Sequence, residues 1–290
     1  MNPADLDHTI VQVVNDSAKA LEEELRSDLI FYHGPIHPGL FRQFRNFIEE
    51  VKSKSQRTEN AISIVLRTGG GSAETVERLV DVLRHHYSTV NFVVPDMAMS
   101  AGTIWCMSGD RIYMDYSSAL GPIDPQVMSP DGSGFLPALG YLDKVDELTA
   151  KSNLSPADAV LLRGIDLAKL ALFEQAKNLS IDLLKKWLVE YKFKDWTRHR
   201  TTNAGAPVTH SEKVDRAAEV AAELADHKRW RSHGRAINVS RLKDLRLDID
   251  DYSDNVNLRS MIRKYNDLLT SHIDRQNMPY YFHSHHTEAL

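Results

Sequence analysis

One cysteine, no long apolar run and no excess of positive charge mark this 290-residue chain, and each scarcity removes a class of protein. The single thiol, Cys106, can close no internal disulfide, which points to a reducing compartment and hence the cytoplasm. It lies in the apolar Ile104–Met107 segment, where a free cysteine is ordinarily core. No stretch approaches the roughly 18 apolar residues of a membrane span. Met1-Asn2-Pro3-Ala4-Asp5 has neither the basic nor the apolar region of a secretory signal. A net charge of -5 leaves no footprint for nucleic acid. No Gly-x-x-x-x-Gly-Lys-[Ser/Thr] run occurs, so energy-dependent unfolding of any substrate would come from another protein. We find no internal repeat or low-complexity segment, and no cofactor or metal is expected.

What is present is ordinary in bulk and unusual in one region. With 42% hydrophobic and 26% charged residues, the chain can bury a sizeable core. The stretch from Ala61 to Gln126 organises the rest. A β-branched run, Ile62 to Leu66, ends in Thr68-Gly69-Gly70-Gly71-Ser72. A second, Val90 to Val94, ends in Pro95 and leads to Ala98-Met99-Ser100-Ala101-Gly102-Thr103. Glycine turns after strands let backbone N–H groups approach a ligand, because no Cβ intervenes. A serine among small residues, opening a helix over Ala101–Met107, has the setting of an exposed nucleophile. The helix start also offers unpaired N–H donors to an oxyanion. The same letters fit a small packing residue or a helix cap, and the glycines fit a plain tight turn.

Around this centre the periodicity predicts helices over Thr9–Arg26, Gly39–Lys54 and Ala73–Tyr87, and strands at Leu29–Tyr32 and Arg111–Met114. Glu22-Glu23-Glu24 reads as the solvated face of the first helix. Strand, glycine turn, helix and strand together make a βαβ unit, so the sheet should be parallel here. Ala119–Gln126 has an irregular backbone, and Ser129–Gly134 reads as a polar loop. Helical stretches follow at Leu139–Ser152, Pro156–Ala176, Ile181–Val189 and Lys213–Ala225, and Thr201–Pro207 suits an exposed connection. Asn238 or Ser240 can cap a short helix through Leu245. A last amphipathic helix spans Val256–Ile273, and the tail beyond Met278 reads as disordered. The His85-His86 pair reads as C-terminal helix capping. His283, His285 and His286 read as an incidental or weakly metal-binding cluster.

With these residues in view, the chain resembles the ClpP/crotonase superfamily, and within it the serine dehydrogenase proteinase family of Clp-related serine peptidases. Four pieces carry the resemblance: Leu66–Ser72, Ala98–Thr103, Leu120-Gly121-Pro122-Ile123-Asp124-Pro125-Gln126, and more weakly His233-Gly234-Arg235-Ala236-Ile237. The resemblance implies an α/β fold, a spiral of stacked βαβ units with additional N- and C-terminal helices. It suggests a helical extension over 1–27, a catalytic domain over 28–250 and a terminal helix and tail over 251–290. It also implies Ser, Asp and His used in that chain order, which here are Ser100, Asp124 and His233. Asp124 stands where Clp-type peptidases carry their histidine, so two positions are exchanged. An Asx-turn between prolines competes as an explanation of Asp124, and a basic surface turn as one of His233.

The implied chemistry is peptide hydrolysis, with His233 taking the serine proton, Asp124 orienting it, and the N–H groups of Gly71 and Ala101 receiving the oxyanion. A Ser/Lys dyad is the alternative, since signal-peptide-peptidase relatives use lysine on this fold; Lys144 and Lys151 are its candidates. A crotonase-type acyl-CoA enzyme and a catalytically silent scaffold are the rivals from other classes. The expected partners are a peptide or unfolded protein substrate and further copies of the chain. The apolar faces of Thr9–Arg26 and Val256–Ile273 suggest a homo-oligomer.

Overall fold

The computed structural model describes residues 3–128, 135–201 and 203–287; the expected loop at Ser129–Gly134 lies outside them. The strands are β1 (Asp28–His33), β2 (Ala61–Arg67), β3 (Thr89–Val94), β4 (Met97–Ala98), β5 (Arg111–Met114), β6 (Ala119–Leu120), β7 (Gln126–Met128), β8 (Phe135–Pro137), β9 (Asp250–Asp251) and β10 (Tyr281–His283). The helices are α1 (Pro3–Leu25), α2 (Phe41–Lys54), α3 (Ala73–His86), α4 (Ala101–Cys106), α5 (Ala138–Thr149) and α6 (Pro156–Arg163). They continue with α7 (Leu167–Trp187), α8 (His210–Ala225), α9 (His227–Trp230), α10 (Val239–Asp244) and α11 (Val256–Gln276).

The main sheet has the order β10-β1-β2-β3-β5-β9. Every pairing in it is parallel except β10 on β1. This is a mixed α/β arrangement built on a mostly parallel sheet. Residues 62–66 are buried without a break, as expected of a parallel strand covered on both faces. Alternate side chains then belong to different cores. Ile30, Tyr32, Ile64, Leu66, Phe92 and Val94 face one core with residues of α2, α3, α4, α7 and α8. Leu29, Phe31, Val65, Val93 and Tyr113 face the other, covered by α1 and α11.

That second layer corrects three expectations. The apolar faces of the terminal helices are not left for another subunit: Val14, Ala18 and Leu21 pack with Leu258, Ile262, Tyr265 and Leu269 inside this chain. Residues 279–287 are ordered rather than disordered, because β10 pairs Phe31 with His283 and His33 with Tyr281. Glu22 is not solvated; its carboxylate is buried and accepts the Leu29 N–H at 3.1 Å. A helical wheel shows only that three glutamates adjoin, whereas burial depends on what the chain lays over them.

The helical stretches between 156 and 189 also divide differently. Asp166 accepts hydrogen bonds from Ala168 N and Lys169 N and so starts a new helix just after Gly164. The break expected near residues 177–180 is absent; Ser180 Oγ donates back to Ala176 O at 3.0 Å and α7 runs through it. Asn238, not Ser240, caps α10 by accepting from Arg241 N.

Candidate active site

The site forms where two strand ends meet. β2 runs into Thr68-Gly69-Gly70-Gly71 and β3 into the short β4, and the two turns are stitched together by Thr68 N donating to Met97 O at 3.1 Å and Met99 N donating to Thr68 O at 3.0 Å. Gly70 and Gly71 have φ values of 108° and 150°. A Cβ on Gly71 would stand 2.1 Å from Ile36 O, and one on Gly70 would stand 2.9 Å from Ser100 Cβ. The glycine turn therefore lies directly against the serine, and only glycine permits that approach. Gly71→Ala is expected to lower stability by about 1–3 kcal/mol through backbone strain. Urea denaturation checks this, and an unchanged midpoint would remove the packing argument.

Ser100 occupies the N-cap position of α4 but its side chain makes no capping hydrogen bond. Its backbone has φ 53° and ψ −116°, a region that non-glycine residues avoid and that costs on the order of 1–3 kcal/mol. Among the described residues, the other non-glycine residues at positive φ are Arg26, Asn203, Arg231, Arg246 and Asn277. Of these, Arg231 and Asn277, at ψ −8° and 44°, lie near the left-handed helical region. The cap explanation thus fails: the serine is held in a strained turn with its oxygen free of its own helix. Among the described residues, neither Gly71 N nor Ala101 N has a hydrogen-bond acceptor, while Gly70 N is satisfied by Thr68 Oγ1 at 3.0 Å. Two unsatisfied N–H groups thus belong to the residues flanking the contact between the turn and Ser100.

A second set of contacts links this region to the segments that carry Asp124 and His233. β4 pairs parallel with β6. The Thr103 hydroxyl, fully buried, lies 2.9 Å from Ala98 O and 2.8 Å from Gly121 O and accepts the Gly121 N–H at 2.9 Å. Leu120 and Ile237 form an antiparallel bridge, Leu120 N donating to Ile237 O at 3.0 Å and Ile237 N to Leu120 O at 2.8 Å. Asp124 lies four residues after Leu120 and His233 four before Ile237, so the bridge brings their segments side by side. Their side chains meet: His233 Nδ1 is 3.0 Å from Asp124 Oδ1. The carboxylate is 3% exposed and the imidazole 24%, so the carboxylate is sheltered while the imidazole reaches the surface. Neither Ser100 Oγ nor His233 Nε2 has a hydrogen-bond partner among the described residues.

Lys144 and Lys151 have other partners. Lys144 Nζ is exposed and lies 3.0 Å from Glu147, and Lys151, beyond the end of α5, lies 2.9 Å from Asp158. Neither is desolvated, as a neutral base would have to be. Positive charge in the basic turn around His233 is partly neutralised, because Arg229 pairs with Glu223. Cys106 is completely buried, and burial pushes its thiol well above the ordinary range, which leaves it inert as a nucleophile. Thr68 and Thr103 are positioning residues that the sequence reading passed over. The available signal was a threonine in the otherwise apolar or small-residue α4, where a buried hydroxyl needs partners.

A family model described as ClpP-like SDH-type serine proteinase matches residues 48–212. The chain belongs to that family. Two uncharacterized proteins of Methanocaldococcus jannaschii are similar to it. MJ0137 is 28% identical over 192 residues, covering 66% of this chain and 54% of that protein. MJ1495 is 26% identical over 189 residues, covering 65% and 52%. The chain thus spans about half the length of the curated relatives it matches. Among solved structures, a serine-to-alanine mutant of the 1510-N membrane-bound stomatin-specific protease superposes with TM-score 0.44 at 15% identity, covering 77% of this chain and 76% of that one. A lysine-to-alanine mutant of the same protease, in complex with a substrate peptide, gives TM-score 0.44 at 17% identity, with coverage of 77% and 72%. No helix among the described residues is long and apolar enough to cross a membrane.

Proposed function

We propose that this member of the family is a serine peptidase that hydrolyses peptide bonds in unfolded segments or short peptides. The contact between Asp124 and His233 at 3.0 Å, closed across 109 residues of sequence, carries the reading. A surface basic turn has no reason to deliver its histidine to a buried carboxylate. In this mechanism Asp124 accepts the Nδ1–H of His233 and leaves Nε2 as the basic nitrogen. Nε2 removes the Ser100 hydroxyl proton as Oγ attacks the scissile carbonyl. The oxyanion is received by Gly71 N–H and Ala101 N–H, and the imidazolium returns its proton to the leaving amine. Water then releases the acyl group by the same steps in reverse order.

A fluorophosphonate probe tests the reading, because it labels an activated serine and neither an acyl-CoA enzyme of the crotonase group nor a silent scaffold. The expected result is one labelled peptide containing Ser100, lost in His233→Gln and retained in Lys144→Ala and Lys151→Ala. Loss of labelling in a lysine variant with retention in His233→Gln would move the mechanism to the Ser/Lys class.

For assembly, we place the contact between copies on α6 and α7 rather than on the terminal helices. Val160, Leu161, Leu167 and Leu172 are each more than half exposed there, an apolar surface that solvent does not favour. Sedimentation equilibrium of Val160→Asp/Leu161→Asp should show a smaller species than the wild type. A wild-type monomer at micromolar concentration would overturn the assignment.

A further inference from the structure

β10 does not end the ordered chain. Beyond it Ser284 is fully buried, and the next residues turn back to the C-terminal half of α1. There His285 Nε2 lies 3.0 Å and His286 Nε2 3.1 Å from Glu22 Oε2. The two rings stand 3.9 Å apart between centroids. The same oxygen accepts the Leu29 N–H at 3.1 Å, while Arg57 approaches the other carboxylate oxygen at 3.8 Å. Three nitrogens therefore converge on one carboxylate oxygen, which has two lone pairs in its plane. Leu29 N–H takes one, both imidazoles are aimed at what remains, and His286 Nε2 also lies 3.3 Å from Oε1.

A cation set among the three groups resolves that crowding. It would accept a lone pair from each neutral imidazole and from Glu22 Oε2, leaving the Leu29 hydrogen bond untouched. One ligand atom from each residue lies within 4.8 Å of the others. A tetrahedral ion about 2.0–2.2 Å from nitrogen and oxygen ligands spaces them about 3.3–3.5 Å apart, so the observed contacts need to open by only a few tenths of an ångström. Two imidazoles with one carboxylate is a donor set suited to zinc and its neighbours in the first transition row.

We propose that Glu22, His285 and His286 bind a divalent transition metal ion of the zinc class. The remaining coordination position faces an open groove bordered by Lys19, Gln56 and Arg57, from which the ion and a water ligand enter. The site lies away from the catalytic turn: Leu29 pairs with Ser63 near the start of β2, whereas the glycine turn follows its end at Arg67. The ion acts as a clasp between α1 and the tail that β10 delivers, tying together groups 263 and 264 residues apart. In the sequence the tail histidines read as an incidental or weakly metal-binding cluster, but Glu22 lies near the other end of the chain and reads as solvated, so the ligand set is not legible there.

The test is zinc binding by the full chain after chelator treatment, read by competition with a chromophoric chelator. One equivalent should bind at micromolar affinity or tighter, and His285→Gln/His286→Gln should weaken it by at least about tenfold. Zinc at about 100 times its dissociation constant for the wild type should raise the wild-type folding constant about 100-fold and that of the double variant by no more than about tenfold. On the wild type itself, zinc should shield His285 and His286, but not His85 and His86, from diethylpyrocarbonate, which keeps the test decisive should the variant fold poorly. No binding up to about 100 µM zinc, equal binding by the double variant, or no shielding of the tail histidines would overturn the site.

Discussion

Ser100→Ala should lose at least about 10³-fold in peptidase turnover while folding normally, since removing a triad serine eliminates nucleophilic catalysis and leaves only the residual contribution of binding and oxyanion donors. Ser100→Gly adds a second and opposite reading. The serine is held at φ 53° and ψ −116°, a conformation glycine adopts without steric penalty. The glycine variant should therefore be as inactive as the alanine variant yet more stable than it, by roughly 1–3 kcal/mol from relief of strain. Such an exchange of stability for activity is what a strained catalytic turn entails. Chemical denaturation of both variants beside a peptidase assay measures it. Full activity in either variant would remove Ser100 from the mechanism, and a glycine variant less stable than the alanine variant would remove the strain argument.

The second large effect belongs to Asp124→Asn. The amide can still reach His233 Nδ1, but it can offer an N–H where an acceptor is needed and so favours the wrong imidazole tautomer. In a serine protease triad that change costs about 10⁴-fold in kcat, and a loss of about 10³–10⁴-fold is expected here. The carboxylate is buried and paired with the histidine, so the two should act as a unit. Asp124→Asn/His233→Gln should then be scarcely slower than His233→Gln alone, because coupled residues are not additive. Steady-state kinetics on the two single variants and the double variant decide it. Multiplying effects would mean that Asp124 serves only to hold its loop between Pro122 and Pro125.

The elements legible in the sequence are those whose cause is local. Arg111–Met114 was expected as a strand and is one, with those bounds, because its neighbours supply the turn residues that delimit it. Ala61–Arg67 and the glycine turn after it were legible for the same reason: a β-branched run and a triple glycine restrict the backbone whatever surrounds them. The family was legible because the serine and Gly-Pro-Ile-Asp-Pro-Gln boxes are short and contiguous. Helix division between 156 and 189 was misread because Gly164 and the Asp166 cap outweighed the apolar periodicity.

What only the tertiary structure decided depends on residues far apart. β10 is three residues long, too short to carry a periodic signal, and exists because β1 offers it an edge about 250 positions away. Glu22 stands in a run of three glutamates and differs from Glu23 and Glu24 only because Leu29, Arg57 and the two tail histidines surround it. The terminal helices looked like subunit surfaces until their packing on each other was visible, since an amphipathic face records that it needs a partner and not which one. Asp124 and His233 were each ambiguous as letters. The bridge from Leu120 to Ile237 brings them within hydrogen-bonding distance, and a register between segments more than 100 residues apart is a property of the folded chain.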